Sequence, residues 1–223
     1  MIFSLLINVL KVILLPFAAL RRARAAPRGS WVTLTIEGPV LDVPRPRPAL
    51  SWLLRRTRHE VSVTSLRELA KRLAQDPKPR GLLLRIESIS AGPAVLRSLR
   101  DVLVAIRASG KDVVVYLPDG AGNQALYVAS AASRIVVGPE TSVAPMGYAS
   151  EPTYLKGALE RAGVVPEVFA KGRYKSAGET LVRSDMSEAQ REQVGALLDA
   201  FYDELIAALA EGRGVTREAA RAF

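Results

Sequence analysis

DVVVYL at residues 112–117, flanked by GLLLRIE at 81–87 and RIVV at 134–137, decides the architecture. Each is a short apolar run bounded by turn residues, the signature of a buried strand. Between the first two runs, Val95, Leu99, Val102, Leu103 and Ile106 recur at helical spacing, with Ser109-Gly110 closing the helix. Between DVVVYL and RIVV, residues 122–132 read as a helix of small residues. Strands separated by helices of ten to fifteen residues imply βα crossover units, so the class is α/β with a parallel sheet covered by helices.

Outward from this centre the pattern continues. WVTLTIEGPV (31–40) alternates Val32, Leu34 and Ile36 with Thr33, Thr35 and Glu37, a half-buried strand. Leu66, Leu69, Ala70 and Leu73 stripe a helix that ends before Asp76-Pro77. On the C-terminal side, Glu151 to Arg161 predicts a helix and VPEVFA (165–170) a strand. Ser187 to Ala210 predicts a long helix, opened by a capping box over Ser187-Glu188-Ala189-Gln190. A further helix begins at Thr216 just before the chain stops at Phe223, an ending expected of a segment of a larger protein or of one covered by a partner.

Composition narrows the chemistry. With 223 residues, 49% apolar and 24% charged, the chain holds one globular domain and an additional segment. Of its 31 basic and 22 acidic residues, residues 1–60 hold ten and three, so the net +9 divides as +7 there and +2 in the remainder. With no cysteine and one histidine, His59, disulfides, thiolate sites and histidine-rich zinc sites are excluded, and any Ser–His–Asp triad would depend on His59 alone. His59 sits in a Pro/Arg-rich connector (44–59) and reads as solvated. The arginines there lack interleaved aromatic platforms, which argues against nucleic acid as a partner.

Residues 1–20, MIFSLLINVLKVILLPFAAL, are long enough at 1.5 Å per residue to cross about 30 Å of hydrocarbon. Ser4, Asn8 and Lys11 share one helical face, favouring an interfacial helix or a span whose polar stripe faces protein. Arg21, Arg22, Arg24 and Arg28 follow and suit anionic headgroups. The expected organisation is a membrane anchor or interfacial helix over 1–28, a first strand and connector over 29–60, and the main domain over 61–223. Membrane lipids are thus expected partners, with sidedness left open.

FAKGRYKSAGETLVRSDMSEAQREQ (169–193) carries a Gly-x-Tyr-Lys-Ser-Ala segment at Gly172, Tyr174, Lys175, Ser176 and Ala177, then Asp185-Met186-Ser187 and a long helix. Together with ASGKDVVVY (108–116) and YVASAASRIVVGP (127–139), this resembles the signal peptide peptidase A family of membrane-bound serine peptidases. Asp112 stands where that family usually has proline. The resemblance implies a Clp protease/crotonase-like superhelix of ββα units and a tendency to form homo-oligomers. It implies hydrolysis of hydrophobic peptides such as cleaved signal peptides, by a serine nucleophile with a lysine base and no cofactor or metal.

By position the base is Lys175. A free lysine titrates near 10.4, so a base working at neutral pH must be lowered by about three units, roughly 4 kcal/mol, usually by desolvation. Lys175 is therefore expected to be partly buried, its amine held by the Tyr174 and Ser176 hydroxyls, with Lys171 and Arg173 solvated. The family's serine begins a helix after a strand in a glycine-rich setting. Here PDGAGNQALYVAS (118–130) has no serine at that place. Ser130 lies two turns along, where capping or packing is expected, and Ser142 and Ser150 lack the glycine context.

Long members of that family contain two copies of the fold, the first supplying lysine and the second serine. The resemblance therefore implies a lysine-bearing N-terminal copy that needs a serine-bearing second half or chain and is inactive alone. Two readings compete: a non-catalytic, membrane-tethered scaffold or binding protein of the same fold, and a crotonase-like acyl-CoA enzyme. No pair of backbone oxyanion donors is recognisable for the latter.

Overall fold

The computed structural model describes residues 27–44 and 61–222. The apolar segment 1–20, Arg21, Arg22 and Arg24, and the connector with His59 lie outside the described residues. Among the described residues, no helix is long and apolar enough to cross a membrane.

The chain divides into two compact units. The first comprises the described residues up to Pro118 together with Ala132–Pro139. It contains a four-stranded, wholly parallel sheet in the order β1 (Trp31–Pro39), β2 (Gly81–Ser90), β3 (Asp112–Leu117), β4 (Arg134–Val137). Parallel neighbours require crossovers, and helices α1 (Val63–Gln75) and α2 (Pro93–Ala108) supply the first two. The register stacks Val32, Leu82 and Val113 in one row and Leu34, Leu84 and Val115 in the next. Leu82, Leu84, Val113 and Val115 are fully buried on this face. Leu66 and Leu73 of α1 and Leu99, Leu103 and Ile106 of α2 are buried with them, each such side chain contributing about 1.5–3 kcal/mol relative to exposure.

Although GLLLRIE is almost continuously apolar, its burial alternates: Leu82, Leu84 and Ile86 are sealed while Arg85 on the other face is exposed. There the Arg85 guanidinium lies 5.7 Å from the centroid of the Tyr116 ring and its Nε pairs with Glu87 at 2.8 Å.

Local chemistry sets the helix ends. Ser62 caps α1, its Oγ accepting from the Ser65 N–H at 3.2 Å. Asp76, just before Pro77, ends the helix and accepts from the Lys78 N–H at 3.0 Å. Pro93 occupies the first turn of α2, where its missing N–H costs nothing, and Gly110 at φ 81° closes the exit.

The second unit, Asp119–Ala131 with Glu140–Phe223, is helical. It holds α3 (Asn123–Ala129), α4 (Lys156–Arg161), α5 (Glu179–Val182), α6 (Glu188–Arg213) and α7 (Arg217–Arg221). The Tyr127 hydroxyl on α3 donates to Glu204 Oε1 on α6 at 2.8 Å, and the Arg213 guanidinium donates to the Ser130 carbonyl at 3.0 Å. Gly212 meets that same carbonyl so closely that a Cβ would stand 1.9 Å from it. Gly214, left-handed at φ 67°, ends α6, and Thr216 caps α7.

Two expected elements differ. The helix predicted from Glu151 begins only at Lys156, because the Leu155 N–H, which would have bonded the Glu151 carbonyl, is taken by the Thr180 carbonyl at 2.7 Å. The strand predicted over 165–170 has no ladder. Apolar alternation makes a segment competent to pair, but pairing needs a neighbour, and none lies among the described residues.

The two glycines of α6 are expected to respond oppositely to alanine. Gly195→Ala meets open space and should stabilise by up to about 1 kcal/mol through helix propensity. Gly212→Ala should destabilise by about 1–3 kcal/mol as α6 is forced from Ser130. Urea denaturation followed by circular dichroism measures both.

Candidate active site: the lysine turn on helix α6

The segment singled out in the sequence forms a turn: Gly172, at φ 111°, accepts from the Lys175 N–H at 3.2 Å. Only glycine adopts that backbone cheaply. From this turn three side chains reach the N-terminal half of α6. Arg173 pairs with Glu192 Oε2 at 3.1 Å, and its guanidinium lies 5.3 Å from the Tyr174 ring centroid. The Tyr174 hydroxyl donates to Glu192 Oε1 at 3.0 Å, and the buried Ser176 hydroxyl donates to Gln193 Oε1 at 3.3 Å. Lys175, between them, is exposed.

This corrects the expected lysine environment. Among the described residues the Tyr174 and Ser176 hydroxyls donate to α6, and neither bonds the Lys175 amine. Among the described residues the Lys175 side chain is exposed rather than partly buried. Lys171 and Arg173 are both exposed, as expected, with Arg173 in an ion pair to Glu192. The Arg173–Glu192 pair is itself more than half exposed, so it orients the turn more than it stabilises the fold.

The helix that receives the turn is fixed at its own start. Ser187 caps α6, its Oγ accepting from the Gln190 N–H at 3.1 Å and donating to Glu179 Oε1 at 2.8 Å. The capping box is therefore real at Ser187 but differently completed. Glu179 on α5, instead of Gln190, binds the Ser187 N–H, at 3.3 Å. Gln190 Oε1 is occupied by the Tyr154 hydroxyl at 2.8 Å. The sequence signal for Glu179 was its place eight residues before the cap, outside any local motif.

At the strand-to-helix turn, Gly122 is the N-cap of α3 and Asn123 its first residue, donating through Nδ2 to the Gly147 carbonyl. Gly120, at φ 93°, lies so close to Ser142 that a Cβ would stand 2.2 Å from its carbonyl oxygen. An amide, not a hydroxyl, thus stands at the head of this helix. Ser130 is fully buried at the C-cap of α3, its Oγ donating to the Tyr127 carbonyl at 2.6 Å. Ser150 is exposed, and Ser142 uses its carbonyl to receive the Ala121 N–H at 3.1 Å. None of these three serines stands at the head of α3.

Two phenols of the helical unit are perturbed. Burial pushes Tyr148 above the ordinary 10.0. Tyr154 is raised by burial first, then by the Glu179 and Asp185 carboxylates, against the opposing pull of Arg183 and Arg191. A raised folded-state pKa gives stability that is full below the unfolded value and lost as pH rises through the folded one. Stability should therefore fall above about pH 10, with both phenols ionising later than free tyrosine. Absorbance titration at 295 nm, alongside urea midpoints at pH 9 and 11, checks this; Tyr154→Phe should flatten the dependence.

Residues 105–223 match the model of "Peptidase family S49". The chain is 28% identical over 191 residues to the chloroplastic serine protease SPPA of Arabidopsis thaliana, covering 86% of this chain and 27% of that protein. It is 30% identical over 167 residues to protease 4 of Salmonella typhi, covering 71% of this chain and 27% of the relative. Protease 4 of Haemophilus influenzae is 28% identical over 144 residues, 64% of this chain and 23% of the relative. The chain therefore spans about a quarter of the length of these curated relatives. Among solved structures, an enoyl-CoA isomerase from M. smegmatis aligns over 89% of this chain and 87% of its own, with 18% identity and a TM-score of 0.34. A likeness that distant carries no weight beside the sequence relationship. The family match covers the third strand onward and takes in the whole lysine turn with its helix, and the chain belongs to peptidase family S49.

Proposed function

We propose that this chain is the lysine-contributing part of a membrane-associated serine endopeptidase that hydrolyses hydrophobic peptides such as cleaved signal peptides. The observation that carries this reading is the presentation of Lys175. In a chain of family S49, a turn is tied to α6 on both sides of the lysine while the lysine side chain is left outward. A base aimed away from its own chain suits a nucleophile that arrives from elsewhere.

In this scheme a serine-bearing half or second chain covers the turn and supplies the desolvation that Lys175 lacks alone. The neutral amine takes the proton as the serine oxygen attacks the scissile carbonyl, and backbone N–H groups of the covering half hold the oxyanion. The lysine then returns the proton to the leaving amine, and water hydrolyses the acyl-enzyme. The wider architecture is a Clp protease/crotonase-like superhelix assembled as a homo-oligomer. Residues 1–20 and the arginines after them hold it at the membrane, with hydrophobic peptides bound extended in the groove.

Two findings favour a second reading. The exposed amine, and the amide of Asn123 at the head of α3, are also what a non-catalytic, membrane-tethered scaffold would retain.

Co-expression with and without a serine-bearing half, followed by cleavage of an apolar peptide, separates the two. The chain alone should be inactive. In the reconstituted pair, Lys175→Ala should lower kcat by about 10²–10⁴-fold, the usual contribution of a general base. Lys175→Arg should not rescue it, because a guanidinium keeps its proton. Undiminished cleavage after Lys175→Ala would overturn the proposal and leave the scaffold.

A further inference from the structure

Residues 165–171, VPEVFAK, alternate like a strand yet pair with nothing among the described residues. Their backbone N–H and C=O groups make no hydrogen bond there. Phe169 is 94% exposed and Val165 84%, the first more exposed than any other large apolar side chain described. Val168, 37% exposed, packs against Gly178, where a Cβ would stand 2.4 Å from its Cγ1. One side of the segment is thereby anchored to its own unit. The other presents Val165, Glu167, Phe169 and Lys171 to solvent. Neither Glu167 nor Lys171 is ion-paired among the described residues.

That outward series is charge-palindromic about Phe169: an acid two residues before it, a base two residues after. We propose that this segment is a self-complementary edge, and that two copies of the chain pair here as antiparallel strands about a two-fold axis at Phe169. In that register Phe169 faces Phe169, and Glu167 of each copy faces the other's Lys171. If Glu167, Phe169 and Lys171 are the hydrogen-bonded positions, their N–H groups point at the partner. Pro166, which has no N–H, then falls on the opposite edge, where none is required. A parallel pairing in the same register would set acid beside acid and base beside base. The charge order therefore selects the antiparallel form.

A ribbon this short buries less than the ~800 Å² per partner of a standard stable interface. The dimer is accordingly expected to exchange, and covalent capture is the appropriate readout. The chain has no cysteine, so Phe169→Cys introduces a single thiol. Across the two-fold, antiparallel Cα atoms stand about 4.5–5.5 Å apart, within disulfide reach.

The full chain in detergent micelles, oxidised with copper phenanthroline, should give a disulfide dimer at least about tenfold faster for Phe169→Cys than for Leu197→Cys, whose side chain on α6 is also exposed. Adding Glu167→Lys to Phe169→Cys should slow capture about tenfold, since like charges then face each other at both ends. Adding Lys171→Glu as well should restore it. Equal circular dichroism spectra establish that all variants fold. Equal capture at 169 and 197, or a double charge reversal no faster than the single one, would refute the pairing; either result would mean that something other than a second copy covers the segment. No peptidase activity is measured, so this inference and the lysine-base proposal stand or fall separately.

Discussion

The lysine turn is held in place by two adjacent side chains on one helix. Glu192 takes the Arg173 guanidinium and the Tyr174 hydroxyl, and Gln193 takes the Ser176 hydroxyl. The three polar side chains flanking Lys175 in the turn all reach α6. The helix can do this only because its own start is fixed by Ser187 and Glu179. A cap, a carboxylate and an amide together decide which way one lysine faces.

This arrangement reframes what the chain lacks. An amine in water is a poor base at neutral pH, and the turn leaves it in water. The same region leaves Val165 and Phe169 uncovered and buries no residue of α4 or α5. Exposed large apolar side chains of this kind mark surfaces suited to interaction. In the proposed scheme a serine-bearing partner desolvates the amine, while a second copy of this chain covers residues 165–171.

The sheet was legible because each strand carries its own signal. β3 and β4 coincide with DVVVYL and RIVV, and the first two helices end where Asp76-Pro77 and Ser109-Gly110 say they should. The one-sided burial of β2 was less so, since Leu83 makes the run look continuous although Arg85 faces solvent. Elements whose form depends on a partner were misread. Residues 165–170 have strand chemistry but no neighbour among the described residues, and Glu151–Leu155 lose their helix to the tertiary hydrogen bond of the Leu155 N–H. At the candidate site the turn, its glycine and the Ser187 cap could all be read from the string. The destinations of the Tyr174 and Ser176 hydroxyls could not, because they depend on where α6 lies in space and not on spacing along the chain. Glu179 escaped for the same reason.

The central claim is that assembly, and not this chain alone, makes Lys175 a base. Its most direct measure is the titration of the Lys175 amine by side-chain NMR, with lysine isotopically labelled and Lys175→Arg assigning the signal, in the free chain and after binding the serine-bearing half. Binding is predicted to move the midpoint down by about three units. A midpoint identical in the free and bound states would contradict the account.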